Sequence, residues 1–204
     1  MTFDPLVRPA DGDIASRAVR LATAGTVLAM VFTQAPARAL LHNFQDSELL
    51  EFWPLRDGDS QSGVQLLQNT RERQYDVHID YNQIIHDTQV HPIPTKYFAA
   101  AEFAGPRRQL LGDQHVAVAL AFIGDMCAKI AAKWRAEDDC TALFTLLQEF
   151  LNESGGGALV KFIKSIEAGA QTTTFAAIAM LMRGFVKELA DFCENPQKTP
   201  ERRP

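Results

Sequence analysis

The side chains equipped for chemistry are few and scattered along 204 residues. His86-Asp87 sets an imidazole beside a carboxylate, donor types that hold a divalent cation and activate water against a phosphoester. That chemistry needs another His on an earlier helix and an Asp on a later one. His42 and Asp125 are present but stand in no ligand-like cluster, so no metal site is expected. Asp113-Gln114-His115 offers a carboxylate that can cap backbone N–H groups, an amide, and an imidazole titrating near neutrality. Cys127, Cys140 and Cys193 are odd in number, lie in apolar surroundings and form no Cys-x-x-Cys pair, so they read as buried free thiols. The chain has no Gly-x-Ser-x-Gly, no His-Glu-x-x-His and no dinucleotide fingerprint. Gly155-Gly156-Gly157 lacks the Lys and preceding strand of a phosphate loop and reads as a helix stop. The expectation is a binding protein with no catalytic residue, metal or cofactor. Trp53, Tyr81, Tyr97 and Phe98 lie at or near breaks in the pattern, where aromatic side chains anchor a partner peptide or seal helix ends. Core packing is favoured for Trp53, and both readings stay open for Tyr97.

The elements that must position these residues are helices, because apolar residues recur at three and four and almost never at two. Asp13 can cap a helix from Ile14 to about Thr33 carrying Leu21, Leu28 and Phe32 on one face. Short helices are expected from Pro36 to Leu41 and near Ser47 to Phe52, a polar turn over Arg56 to Ser60, then helical segments beginning at Val64 and spanning Tyr75 to Ile85. His86 to Pro94 and Gly105 to Gly112 read as loops that divide the chain into two helical halves, the second loop a possible hinge for domain-swapped dimers. Asp113 is expected to cap a long central helix with Val116, Leu120, Ile123, Cys127, Ile130 and Trp134 on its inner row. Glu137-Asp138-Asp139 is expected to start the next, bearing Leu143, Leu146, Leu147 and Phe150 and ending at Ser154 to Gly157. Two more follow, Leu159 to about Ala168 and Phe175 to about Phe192.

Composition bounds the class. An apolar share of 47% with 22% charged residues is that of a folded globular chain, expected as one all-α domain over residues 1–193 with a flexible tail over 194–204. The formal charge of -5 and the lack of a basic run argue against general nucleic-acid binding, which rests on Lys and Arg displacing counterions. Leu21 to Phe32, with Arg17 and Arg20 before it and Ala37-Arg38-Ala39 after it, mimics a secretory signal. Asp4, Asp11 and Asp13 offset the arginines ahead of it, and the helical spacing favours an amphipathic first helix of a cytoplasmic protein with no stable membrane insertion.

Taken in order, several segments resemble the TorD/DmsD/NarJ-type chaperones that mature molybdenum-containing oxidoreductases. They are Glu51-Phe52-Trp53-Pro54-Leu55; Asp80-Tyr81-Asn82-Gln83-Ile84-Ile85, similar to a Tyr-x-x-Leu-Phe; and the Pro-containing loop from Val90 to Tyr97. Next comes the run from Asp113 to Ile123, similar to Asp-His-Leu-Ala-Val-Glu-Leu-Glu-Phe-Met, and then Phe150-Leu151, Phe162 and Thr174-Phe175. His115 occupies the His position of the family's Asp-His motif, while Gln114 stands where its Asp belongs. Pro94 is the clean match in the Pro-Pro-aromatic loop. The resemblance implies a TorD-like helical bundle that binds the twin-arginine leader, alone or together with the body, of a molybdopterin oxidoreductase precursor before cofactor insertion and export. The peptide-binding residues it implies are Pro94 and Tyr97 as groove wall, Asp113 and Gln114 as polar partners and His115 as a hydrogen-bonding group, with Tyr81 beside them. The competing readings are a helical adaptor that kept the fold without leader binding, and a metal-dependent phosphohydrolase at His86/Asp87.

Overall fold

The computed structural model describes residues 14–36, 50–87, 95–105 and 111–196. Among them every regular element is a helix: α1 (Ile14–Thr33), α2 (Gly58–Gln68), α3 (Gln74–Asp87), α4 (Thr95–Ala100), α5 (Val116–Arg135), α6 (Thr141–Phe150), α7 (Gly156–Gly169) and α8 (Thr173–Glu194). The protein is an all-α bundle. The chain halves are not halves of the structure, because α1 lies along α5 and also meets α8, α2 packs on α8, and α3 packs on α7 and α8.

The α1/α5 pair is close because both helices present glycine at the crossing. A Cβ on Gly25 would lie 3.1 Å from the Leu120 carbonyl oxygen, and one on Gly124 would lie 3.2 Å from that of Ala22. Around the crossing, Leu21, Leu28 and Phe32 of α1 and Leu120, Ile123 and Cys127 of α5 are all buried. By length and composition α1 is apolar enough to cross a membrane, and 61% of that apolar window is buried inside this bundle.

Arg17 fastens the start of α1 to the end of α8. It is 2% exposed, donating from Nε and Nη2 to Glu188 at 3.1 and 3.0 Å, from Nη2 to Asp191 at 2.9 Å and from Nη1 to the Asn195 carbonyl at 2.6 Å. Its guanidinium also lies 5.3 Å from the Phe192 ring centroid. The first two residues after α8, Asn195 and Pro196, are therefore tied to α1 through their carbonyls. A planar fork with five donors suits this site as a lysine would not.

The start of α8 is held by two carboxylates from the α3 region. Asp80, 2% exposed, accepts from Thr172 N at 2.8 Å, from Gln171 N at 3.1 Å and from the Thr172 hydroxyl. Glu72 accepts from Thr173 N at 2.6 Å and from Thr174 N at 3.0 Å, and the Thr172 hydroxyl oxygen accepts from Phe175 N at 3.4 Å. The first three orphan amides of the helix are thus satisfied, with negative charge at the positive end of its dipole.

Several boundaries differ from the sequence expectation. α2 begins at Gly58, not Val64, because Asp57 caps it by accepting from Ser60 N; the expected polar turn is its first turn. α5 begins at Val116 and its cap is His115, not Asp113, and Trp134 lies at its exposed end, off the inner row. α6 begins at Thr141, where Asp139 Oδ1 accepts from Thr141 N, since Glu137 takes φ 56° and the chain turns there. The glycine run does not stop a helix. Leu151–Gly155 forms a π-helical turn that carries α6 straight into α7. α3 extends through His86-Asp87, the start of the expected loop, and Thr95 to Tyr97, the end of the Pro-containing loop, belong to the helix Thr95–Ala100.

Candidate functional site

The expected peptide-binding residues other than Tyr81 fall into two groups. The first is the entry to α5. Gly112 adopts φ +80°, a conformation that suits a residue without Cβ, and its carbonyl accepts from His115 N at 3.2 Å, closing a turn over Asp113 and Gln114. Gln114 is exposed, and Asp113 and His115 are half-buried. His115 Nδ1 accepts from Ala117 N at 3.2 Å, so the cap requires a neutral ring with its proton on Nε2. Burial pushes the imidazole below its ordinary range, the direction that preserves the cap.

The second group is α4. Pro94 lies outside the described residues, and the helix begins at the next position. Tyr97 is 1% exposed, with its ring edge-on to Phe150 at 5.6 Å between centroids. Phe98 packs on Phe122 of α5 at 5.1 Å and on Phe103 at 5.3 Å, and Phe122 meets Phe150 at 4.8 Å. Lys96 reaches from α4 to Glu153 in the π-helical turn, Nζ to Oε2 2.7 Å, with Nζ 4.8 Å from the Tyr97 ring centroid. That pairing raises the Lys96 ammonium and lowers the Glu153 carboxyl, while burial first and then Glu153 push the Tyr97 phenol up. Lys129 of α5 donates to the Ala101 carbonyl just after α4.

These groups share α5. Phe122 is seven residues past His115, so the aromatic contact of α4 lies about 10 Å along the axis from the polar entry, at 1.5 Å per residue. Tyr81 is elsewhere. It is buried in a cluster with Phe175, which also packs against Phe32, and its hydroxyl donates to the Phe32 carbonyl at 3.1 Å, closing the last turn of α1. Tyr81 and Tyr97 are thus interior residues, and neither ring offers an open face to a peptide in this conformation. Trp53 is buried, as expected for core packing. The three thiols are free and buried, with Cys193 pushed up to about 12 and Cys127 higher, chiefly by burial.

The side chains of His86 and Asp87 lie outside the described residues. Among the described ones no three His, Cys, Asp or Glu side chains gather as metal ligands. Sequence reasoning overlooked Lys96, Phe122 and Glu153. Lys96-Tyr97-Phe98 is a cation followed by two aromatics, a legible triplet, but the partner carboxylate is far off in the chain. Comparison with known families, curated proteins and solved structures finds no match to this chain.

Proposed function

We propose that this chain is a cytoplasmic maturation chaperone that binds the twin-arginine leader of a molybdopterin oxidoreductase precursor and makes or breaks no bond itself. The observation that supports it best is the packing of Phe98 on Phe122. It sets α4, at the end of the Pro-containing loop, against the helix that the Asp113-Gln114-His115 entry begins, and these are the two parts of the TorD-like resemblance that carry recognition. A polar helix entry beside an apolar aromatic cluster matches a leader's chemistry, arginines followed by an apolar helix. The burial of Tyr81 and Tyr97, with Gln114 in place of a carboxylate, favours a second reading as an adaptor with the fold alone.

Calorimetric titration of leaders from the same organism's molybdoenzymes into the full chain tests the proposal. Binding should weaken as salt rises, and Gln114→Asp should tighten it several-fold at low salt by adding a charge for arginine to meet. No heat from any leader at high micromolar concentration would reject the chaperone reading and leave the adaptor.

A further inference from the structure

We propose that α4 is an internal plug: Lys96, Tyr97 and Phe98 occupy, from within the chain, the slot that a leader's arginine and following apolar side chains would fill. The inference rests on the leader-binding reading and adds how the slot opens. The slot has walls from outside α4, since Phe122 of α5 and Phe150 of α6 meet edge to face at 4.8 Å between ring centroids. What fills it is Tyr97 against Phe150 and Phe98 against Phe122. Beside these rings stands Glu153, paired with Lys96, so a cation followed by apolar rings meets a carboxylate followed by an apolar wall.

α4 is fastened from outside itself. Six residues are too few for a helix to hold itself together, and α4 depends for its place on its two buried aromatics and on the bond from Lys129 of α5 to the Ala101 carbonyl just after it. Its charged tie is exposed at both ends, 60% for Lys96 and 50% for Glu153, and exposed ion pairs contribute little. The carboxylate also stands where the bundle is least regular, in the π-helical turn. That turn is coupled to the slot wall, because a Cβ on Gly155 would lie 2.2 Å from the Phe150 ring. When α4 lifts, Glu153 loses its lysine and faces an open apolar wall. An incoming arginine replaces that lysine with a planar fork able to grip both carboxylate oxygens.

Amide hydrogen exchange on the full chain, without peptide, reads the opening. The amides of Ala101 and Phe103, which donate to the Tyr97 and Phe98 carbonyls, should exchange about tenfold or more faster than those of residues 120–131, through a local opening that leaves α5 protected. Lys96→Ala should speed α4 exchange several-fold with α5 unchanged. It should also tighten binding of a synthetic peptide carrying Arg-Arg ahead of an apolar helix. Glu153→Gln should speed exchange equally yet weaken that peptide, since it removes the carboxylate that one of the two arginines meets, the other being left to the α5 entry. Exchange of α4 at the rate of α5, or peptide binding that Lys96→Ala does not tighten, overturns the plug. Fast local exchange with no peptide bound by any form overturns the leader reading and the occupant assigned here.

Discussion

Replacing Asp80 tests the claim that a carboxylate from α3 holds the entry to α8. Asp80 is buried and accepts from two backbone amides and one hydroxyl, all at Gln171 and Thr172. Asp80→Ala leaves donors without an acceptor, at about 1–3 kcal/mol for each one buried from water. Gln171 is exposed, so its amide regains water, whereas Thr172 is buried and loses both an amide and a hydroxyl partner. The expected loss is therefore about 2–6 kcal/mol, a large share of the ~5–15 kcal/mol that holds a domain folded. Asp80→Asn keeps one oxygen for Thr172 N and turns an NH2 toward another donor, so it should lose about 2–3 kcal/mol. Glu72→Gln should lose less, because Glu72 is partly exposed and water can replace it. Urea titrations of the wild type and the three variants measure this, with an unchanged slope showing that the native fold persists. The Asp80/Glu72 double variant should lose less than the sum, since both carboxylates secure one helix start. A loss under about 0.5 kcal/mol for Asp80→Ala would refute the reasoning and place the α3/α8 junction in water.

Three further outcomes follow from the packing and the titrating groups. His115 caps α5 only when neutral and its folded value is lowered, so the stability it contributes is full above its ordinary value near 6.5 and is lost as pH falls through the folded value; His115→Asn, a cap that does not titrate, should flatten stability between about pH 7 and 5, and an unchanged slope would count against the assignment. Leu120→Ala at the centre of α5 should cost about 2–5 kcal/mol in the same denaturation assay, and Gly124→Leu should cost about 1–3 kcal/mol or more by forcing α1 from α5. Burial raises both Cys127 and Cys193 far above pH 8, so a thiol reagent at that pH should modify neither until the protein unfolds; rapid labelling of Cys193 in the native state would show that the end of α8 opens, and rapid labelling of Cys127 that the core around α5 does.

Helical periodicity sufficed for the class and for most elements. The row Phe175, Ile178, Met182, Phe185, Leu189 and Phe192 is buried as its spacing requires, and α1 runs over the residues its pattern marked. Where the expectation erred, a local cue was outvoted by packing. Three successive glycines are a stop signal in isolation, yet here the chain winds a π-helical turn against Phe150 and continues. Asp113 is a good cap residue, but the turn closed by Gly112 makes His115 the residue whose side chain caps the helix, at Ala117 N. Neither Arg17 nor Asp80 carried a local signal, because their partners are 171 and 92 residues away. The candidate site divides in the same way. The polar helix entry was legible because capping residues act within one turn of chain. The burial of Tyr97, and the pairing of Lys96 with Glu153 beside it, were decided by the way α4 lies on α5 and α6, and periodicity along one helix carries no information about which ring meets which across the core.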